Sequence, residues 1–455
     1  MPVRFSELDG ARVGVWGAGR ETRSFAAQLA RRLPSAQITV AAFDTAPASE
    51  VLDALKAPTA QVVTTAEDDV VAVLSKCEVL VRSPGVSIHR PELAALREMG
   101  VAITTATSLW LSERGGGGVI GVTGTKGKST TAAIAFHLAR AAGRTAHLAG
   151  NIGVPALDLL DEEPADVIVL ELSSYQTADL DLGPEVALVT NLFKEHTDWH
   201  GSEQAYRAEK LRVLELPGVR VCVLNARDQL LRAAGERLAR DGADVRHFGA
   251  SDSWDVIAGG VALEGELRIE RPELALLGEH NLLNLCAALS ALEALGVEPP
   301  PLPDSLEGFE PLPHRLEQVA ERDGVLWVND SISTTPESTM AALASFPGRE
   351  IVLIAGGQDR GQDYTELGRV LAEARGTAVI GVPSTGPRLL AAARDAGAQD
   401  SGVLQAADMA EAVTLARSRA QPGAVVLLSP AAPSYDSYRD FAQRGERFRE
   451  LAERP

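Results

Sequence analysis

Cysteine is scarce in this chain. Cys77, Cys222 and Cys286 are odd in number, far apart, and form no Cys-x-x-Cys pair. That argues against a disulfide framework or a structural zinc site, and a reducing, cytoplasmic setting is expected. Basic charge is also in deficit: 43 Lys and Arg stand against 62 Asp and Glu, for a net charge of −19. A nucleic-acid surface would need a basic stripe, so nucleic acid is not expected as a partner. Any anionic ligand must be held by local donors rather than by the overall field. No apolar run approaches the ~18 residues that crossing a bilayer takes. The opening Met1-Pro-Val-Arg-Phe-Ser-Glu-Leu-Asp9 lacks the apolar core of a secretory signal. No membrane insertion is expected.

What is present is the composition of an ordinary globular protein. The 455 residues are 45% hydrophobic and 23% charged, enough for about three domains at ~150 residues each. Apolar β-rich runs alternate with helix-period segments, which reads as α/β with mainly parallel sheets. Arg12–Trp16 is a first strand, Thr22–Arg32 a helix and Ile38–Phe43 the next strand. A glycine-rich stretch, Arg114 to Gly118, lies near one domain boundary, placed at about Ala106. A proline cluster, Leu295 to Pro303, is a second breaker, and the pattern restarts after Pro311. Strands are then expected at Gly324–Val328, Ile351–Ala355, Val379–Val382 and Val425–Leu428, with a helix from Ser338. The expected domains are 1–106, 107–311 and 312–455, three consecutive α/β units without a sequence repeat.

The most informative segment is Gly121-Val-Thr-Gly-Thr-Lys-Gly-Lys-Ser-Thr-Thr131. It follows the apolar Val119-Ile120 and opens a helix-like run, Ala132 to Ala142. Glycines let backbone N–H groups crowd a phosphate, because no Cβ blocks the approach. The helix N-terminus adds free donors and partial positive charge. Lys128 supplies a point charge for phosphates, and the Ser129 hydroxyl suits Mg²⁺. The strict Gly-x-x-x-x-Gly-Lys-Ser/Thr pattern fails by one residue, since Val122 stands where its first glycine would be.

Other groups could serve such a site. Glu171 ends the buried-type strand Val167–Leu170, facing the ligand crevice that forms at the carboxyl ends of parallel strands. It would suit Mg²⁺; a solvated strand-end acid is the alternative. Val186–Val189 runs into a polar cluster from Thr190 and Asn191 to Glu195, His196, Asp198 and His200. A neutral imidazole can hold a metal, although a loop histidine is also common surface or core filler. Lys210 lies on a helical stretch and by default is a solvated lysine. His314-Arg315 and Asn329-Asp330-Ser331 stand at element ends, where a guanidinium can clamp anions and Asn/Asp can also simply form turns. Gly17-Ala-Gly19 resembles a dinucleotide turn, but Thr22 replaces the third glycine. It is read as a Rossmann-like turn for another anionic group, with a plain structural turn as the alternative.

These pieces occur in an order that resembles one family. Gly124 to Ser129, Gly150-Asn-Ile-Gly153, Glu171 to Gln176, Glu195-His196, Tyr206 to Lys210, Gly278 to Asn281 with Asn284, Leu312 to Arg315, Asn329 to Ser331 and Leu428 to Ala431 run the length of the chain. The set is similar to that of the Mur ligases of peptidoglycan synthesis, and within them to the glutamate-adding MurD branch. That family's shortened phosphate loop also accounts for Val122.

The resemblance implies a three-domain α/β architecture: a Rossmann-like N-terminal domain for a UDP-linked substrate, a central P-loop ATPase and a Rossmann-like C-terminal domain. It implies an ATP-dependent, ADP-forming ligase acting through an acyl phosphate, with UDP-N-acetylmuramoyl-L-alanine and glutamate as substrates. The setting would be cytoplasmic precursor synthesis for the cell wall, and so cell shape and division, and the protein a monomer. D-glutamate is the family default; L-glutamate followed by epimerisation elsewhere is the alternative.

By the same resemblance, Gly124, Thr125, Lys126, Gly127, Lys128, Ser129, Thr130, Asn281, Asn284, Arg315 and Asp330 hold ATP. Lys128, Glu171, His196 and Lys210 are the catalytic group. Ser129 and Glu171 would serve one Mg²⁺, and His196 with a carbamylated Lys210 a second. Arg20, Glu21, Asp44, Thr45 and Ser83 fall in the UDP-substrate region, and Asn151 would contact the substrate or phosphate. Thr334, Arg360, Ser434 and Phe441 would surround the incoming glutamate. The chain departs from the branch in carrying Ile332 and Arg360 where lysines are usual, a pattern similar to L-glutamate-using members. A sibling Mur or folylpolyglutamate-type ligase, a P-loop nucleotide switch and a nicotinamide dehydrogenase are the competing readings.

Overall fold

The computed structural model describes residues 2–42, 51, 53, 61–64, 69–192, 202–270, 278–309, 313–374 and 376–454. The chain divides into two compact units, 1–274 with 280–309, and 275–279 with 310–455.

The first unit contains two parallel sheets. One is formed by β1 (Arg12–Trp16), β2 (Gln37–Ala42), β3 (Gln61–Thr64), β4 (Val79–Arg82) and β5 (Ala102–Thr104), in the order β3-β2-β1-β4-β5. Its strands pair in parallel throughout, and the order reverses between β1 and β4. Open α/β sheets bind ligands outside the carboxyl ends of strands at such a reversal. Gly17–Gly19 follows β1 there, and Ser83 follows β4.

The second sheet comprises β6 (Val119–Thr123), β7 (Ala146–Gly150), β8 (Val167–Glu171), β9 (Val186–Val189), β10 (Val221–Asn225) and β11 (Asp244–Phe248), ordered β11-β10-β9-β6-β8-β7. β6, β8, β9 and β10 are buried along their whole lengths, as expected of parallel strands covered on both faces. A small antiparallel sheet follows: β12 (Trp254–Ile257), β13 (Gly260–Leu263) and β14 (Glu266–Glu270). One apolar cluster runs from Val13, Val15 and Phe25 through Leu109 and Trp110 to Leu157, Leu170 and Val189. The two parallel sheets therefore share a core.

The second unit is built on β15 (Glu317–Arg322), β16 (Val325–Asn329), β17 (Ile351–Ala355), β18 (Ala378–Gly381), β19 (Val403–Gln405) and β20 (Val425–Leu428), ordered β15-β16-β20-β17-β18-β19. All pairs are parallel except β15 with β16. Apolar clusters cover both faces, one centred on Leu353, Leu367 and Leu427, the other on Ile354, Val426 and Phe448. Among the described residues, no helix is long and apolar enough to cross a membrane. Cys77, Cys222 and Cys286 are all free and buried.

Candidate active site

The phosphate-loop candidate turns out of β6 into a helix spanning Lys128–Ala141. Gly127 caps that helix with φ 83°, the left-handed region that glycine enters without steric cost. An added Cβ there would lie 2.3 Å from Asn284 Oδ1, and one on Gly124 would lie 1.9 Å from Thr190 Oγ1. The loop is fixed by three side chains from two segments, Thr190 and Asn191 after β9 and Tyr206 on a helix. Asn191 Oδ1 accepts from the Lys126 amide at 2.8 Å, and its Nδ2 donates to the Lys126 carbonyl at 3.0 Å. Thr190 Oγ1 donates to the same carbonyl at 2.6 Å. The Thr125 hydroxyl and the Tyr206 phenol lie 2.8 Å apart.

Two lysines donate to neighbouring loop carbonyls: Lys128 Nζ to Thr125 and Lys210 Nζ to Gly124, each at 2.8 Å. Lys210, on the helix Glu203–Leu211, is 1% exposed, with its Nζ 5.1 Å from the Tyr206 ring centroid. Its expected default as a solvated lysine gives way to burial against the loop. Ser129 and Thr130 are buried at the helix start, and the Thr130 hydroxyl has no partner among the described residues. Asn281 and Asn284 lie on the helix Glu279–Ala294, with Asn284 Nδ2 donating to Asn281 Oδ1 at 3.2 Å.

Glu171 stands opposite Val122 in the β6–β8 register, beside the loop. It is fully buried. Asn151 Nδ2 donates to its Oε1 at 2.9 Å, while Oε2 has no partner among the described residues. A buried carboxylate oxygen without a donor is costly unless a cation or donor completes it. This chemistry fits a divalent ion. Asn151 sits in a tight turn with Gly150 at φ 98° and Gly153 at φ 68°.

The residues assigned by sequence to the UDP-substrate region divide. Asp44 and Thr45, like His196, lie outside the described residues. Ser83 is buried at the end of β4, and an added Cβ on Gly17 would lie 2.7 Å from its Cβ. Arg20 directs its guanidinium to the carbonyls of Gly150, Asn151 and Gly153. Glu21 is buried and accepts from Gln176 Nε2 and, at 3.2 Å, from Thr107 Oγ1. Burial lifts the Glu21 carboxyl above the usual carboxylate range, against those hydrogen bonds.

In the second unit, Asp330 follows β16 and is fully enclosed. Its Oδ1 accepts from the Leu316 amide at 3.2 Å and its Oδ2 from Ser429 Oγ at 2.8 Å. Burial raises its carboxyl to about 6, opposed by those bonds, by Ser333 and by the Arg315 charge. Thr334 is half-buried and Ser434 buried. Phe441 meets the His314 ring edge-on at 6.0 Å. Arg360 is exposed, with its guanidinium carbon 5.6 Å from the Tyr435 ring centroid.

Sequence reasoning missed two buried arginines. Arg444 donates to Ser331 Oγ at 3.0 Å, to the Ser331 carbonyl at 2.8 Å and to the Ala432 carbonyl at 3.0 Å, tying together the loops after β16 and β20. Arg82 pairs with Asp179 at 2.9 Å and also donates to the carbonyls of Ser83, Pro84, Val86 and Tyr175. Neither is signalled by its neighbours in sequence, since Asp179 lies 97 residues from Arg82 and Ser331 lies 113 from Arg444.

Comparison with known proteins decides the family. The description "Mur ligase middle domain" matches residues 122–292, and "Mur ligase, glutamate ligase domain" matches residues 314–432. A Xanthomonas euvesicatoria protein named UDP-N-acetylmuramoyl-L-alanine–L-glutamate ligase is 42% identical, over 99% of this chain and 97% of the relative. The chain belongs to the Mur ligase family. A Micromonospora relative of the same name is 41% identical, over 98% of each chain. In fold, this Mur ligase is similar to crystalline MurF from Acinetobacter baumannii, with TM-score 0.59 at 19% identity over 78% of this chain and 82% of the other. The enzyme is an ATP-dependent ligase that forms amide bonds, which excludes the nucleotide-switch and dehydrogenase readings.

Proposed function

We propose that this Mur ligase joins L-glutamate to the alanine carboxylate of UDP-N-acetylmuramoyl-L-alanine, in cytoplasmic synthesis of a peptidoglycan precursor. One observation carries the reading: end-to-end similarity at 42% identity to a relative named for that reaction. The relatives' names specify L-glutamate, the alternative in the sequence reading rather than the family default. Arg360 and Ile332 in place of the branch's usual lysines support the same choice. Arginine presents a planar fork where lysine presents a point donor, so the bound carboxylate pose differs.

The chemistry needs activation first, because a carboxylate is a poor electrophile. Its oxygen attacks the γ-phosphorus of ATP, releasing ADP and forming an acyl phosphate. The glutamate amine then attacks the acyl carbon, a tetrahedral intermediate forms, and phosphate departs as the amide closes. Two anions meet in the first step, so their charge must be neutralised. Lys128 and the backbone amides of Gly124 to Ser129 are assigned to the phosphates. Asn281 and Asn284 are assigned to ATP beside Gly127, and Arg315 and Asp330 are assigned to ATP as well. Ser129 and Glu171 would hold Mg²⁺; when bound, it supplies a positive centre for the transferring phosphoryl group. Burial of Lys210 supports its conversion to a carbamate: its amine nitrogen adds to CO₂ and loses a proton, giving an anionic oxygen ligand. With His196 it would serve a second Mg²⁺.

Ser83 is assigned to the UDP substrate with Asp44 and Thr45, Asn151 to the substrate or the transferred phosphate, and Thr334, Arg360, Ser434 and Phe441 to glutamate. We assign three domains, 1–106, 107–311 and 312–455, and a monomer. The test is phosphate release with ATP and Mg²⁺. It is expected only when UDP-N-acetylmuramoyl-L-alanine and glutamate are both present; release with another amino acid but neither glutamate enantiomer would overturn the reading.

A further inference from the structure

Arg20 and Glu21 are consecutive, at the first turn of the helix Arg20–Arg32 that follows β1. They reach in two directions to the loops after β7 and β8. The Arg20 Nη1 donates to the Gly153 carbonyl at 3.2 Å, and Nη2 to the carbonyls of Gly150 and, at 2.9 Å, Asn151. Glu21 accepts from Gln176, and that glutamine also closes the capping box of Ser173, two residues beyond Glu171. The turn that Arg20 grips is tied to Glu171 twice. The Asn151 backbone amide donates to the Glu171 carbonyl at 3.0 Å, and the side-chain amide to Oε1 at 2.9 Å. The turn has no slack: a Cβ on Gly150 would lie 2.2 Å from the Glu171 carbonyl oxygen, and one on Gly153 would lie 2.2 Å from that of Leu148.

We propose that Arg20 and Glu21 are positioning residues, a two-armed brace by which the first sheet fixes Asn151 and Glu171, rather than contacts to the UDP moiety. The guanidinium suits this role because its planar fork can satisfy several convergent carbonyls at once, which an ammonium cannot do in one geometry. Three carbonyls of one turn converge on Arg20, and without it the turn loses three of the bonds that hold it. Asn151 would then leave the Glu171 carboxylate, loosening the oxygen whose partner the cation becomes. The first sheet thereby contributes to the phosphoryl-transfer half of the site, not only to holding the sugar nucleotide.

The proposal rests on the ligase reading, and its test separates the two. Wild type, Arg20→Ala, Arg20→Lys, Asn151→Ala and the Arg20→Ala/Asn151→Ala double variant are compared. The readouts are steady-state ligation and Mn²⁺ binding in the presence of ATP, without sugar substrate, by electron paramagnetic resonance. A residue acting through another on a metal ligand typically costs about 10-fold or more in metal affinity or rate. Arg20→Ala is therefore expected to lower kcat about 10-fold and weaken Mn²⁺ binding comparably, with the KM for the sugar nucleotide changed less than about threefold. The double variant is expected to be no worse than Asn151→Ala by more than about twofold, because both changes break one path. Should Arg20→Ala not fold, Arg20→Lys carries the same expectations at a smaller size. A rise of about 10-fold or more in that KM, with kcat and Mn²⁺ affinity unchanged, would overturn the brace and make Arg20 a substrate contact. Additive losses in the double variant would overturn it too. Wild type that ligates neither glutamate would instead overturn the function, whatever the Mn²⁺ titrations give.

Discussion

The Asn151 side-chain amide donates to one oxygen of Glu171 at 2.9 Å, and the other oxygen of that buried carboxylate has no partner among the described residues. An incomplete acceptor of this kind is destabilising in the protein alone and useful once a cation arrives. Glu171→Gln keeps the shape and removes the charge. It is expected to lower Mg²⁺-dependent turnover by about 100-fold or more while leaving the unfolding temperature equal or higher, the usual trade of stability for activity at a site. Retained activity, or a marked loss of stability, would contradict this role.

Gly127 tests the loop geometry. Its φ of 83° and the 2.3 Å approach of an added Cβ to Asn284 Oδ1 make alanine intolerable there. At Gly117, an added Cβ meets nothing within 4 Å. Gly127→Ala is expected to abolish the thermal shift produced by ATP, with about 1–2 kcal/mol from the backbone conformation alone before any clash. Gly117→Ala is expected to keep that shift. Equal behaviour of the two would mean that the loop does not cradle phosphate in this conformation.

The Arg82–Asp179 pair tests what holds the first sheet to the second. Arg82 is fully buried, so removing it leaves Asp179 and four carbonyls uncompensated. Arg82→Met is expected to cost about 3–5 kcal/mol in urea unfolding, and Asp179→Asn less. The double variant is expected to cost less than the sum, since the second change removes the stranded partner. Strict additivity would show that the two side chains do not act as a pair.

Asp330 gives a pH dependence with a definite sign. Burial raises its carboxyl from 3.8 to about 6. Between those values the folded chain binds more protons at this site than the unfolded chain does. Its contribution to stability is therefore full below pH 3.8 and is lost as pH rises through about 6. The slope in that window is about 1.4 kcal/mol per pH unit. Asp330→Asn cannot titrate, so the difference in stability between variant and wild type is expected to shift in the variant's favour from pH 4 to pH 6. A difference independent of pH would place the Asp330 carboxyl at its ordinary value.

The fold was legible where burial on both faces writes a continuous apolar run. Arg12–Trp16, Val186–Val189, Ile351–Ala355 and Val425–Leu428 are strands with the bounds read from sequence. The helix after the phosphate loop starts at Lys128, four residues before the sequence pattern places it. Ser129, Thr130 and Thr131 look like turn formers, but Gly127 sets the helix start ahead of them. The antiparallel sheet from Trp254 to Glu270 escaped notice because its outer strand, Glu266–Glu270, buries only Ile269. In the site, the glycine-rich loop, Glu171 and Lys210 carry local signals. The work of Arg20, Arg82 and Arg444 does not: Gly153, Asp179 and Ser331, which they hold, are 133, 97 and 113 residues away. An arginine's long stem makes its role a property of the packed chain, not of its neighbours in sequence.

The most direct measurement of the central claim is ligation run side by side with L- and D-glutamate, with UDP-N-acetylmuramoyl-L-alanine, ATP and Mg²⁺, and analysis of the product's stereochemistry. L-glutamate is expected to give the amide with stoichiometric ADP and phosphate, at a kcat/KM at least about 100-fold above that for D-glutamate, the size of discrimination set by a misplaced carboxylate. Preference for D-glutamate, or product with neither enantiomer, would contradict the account.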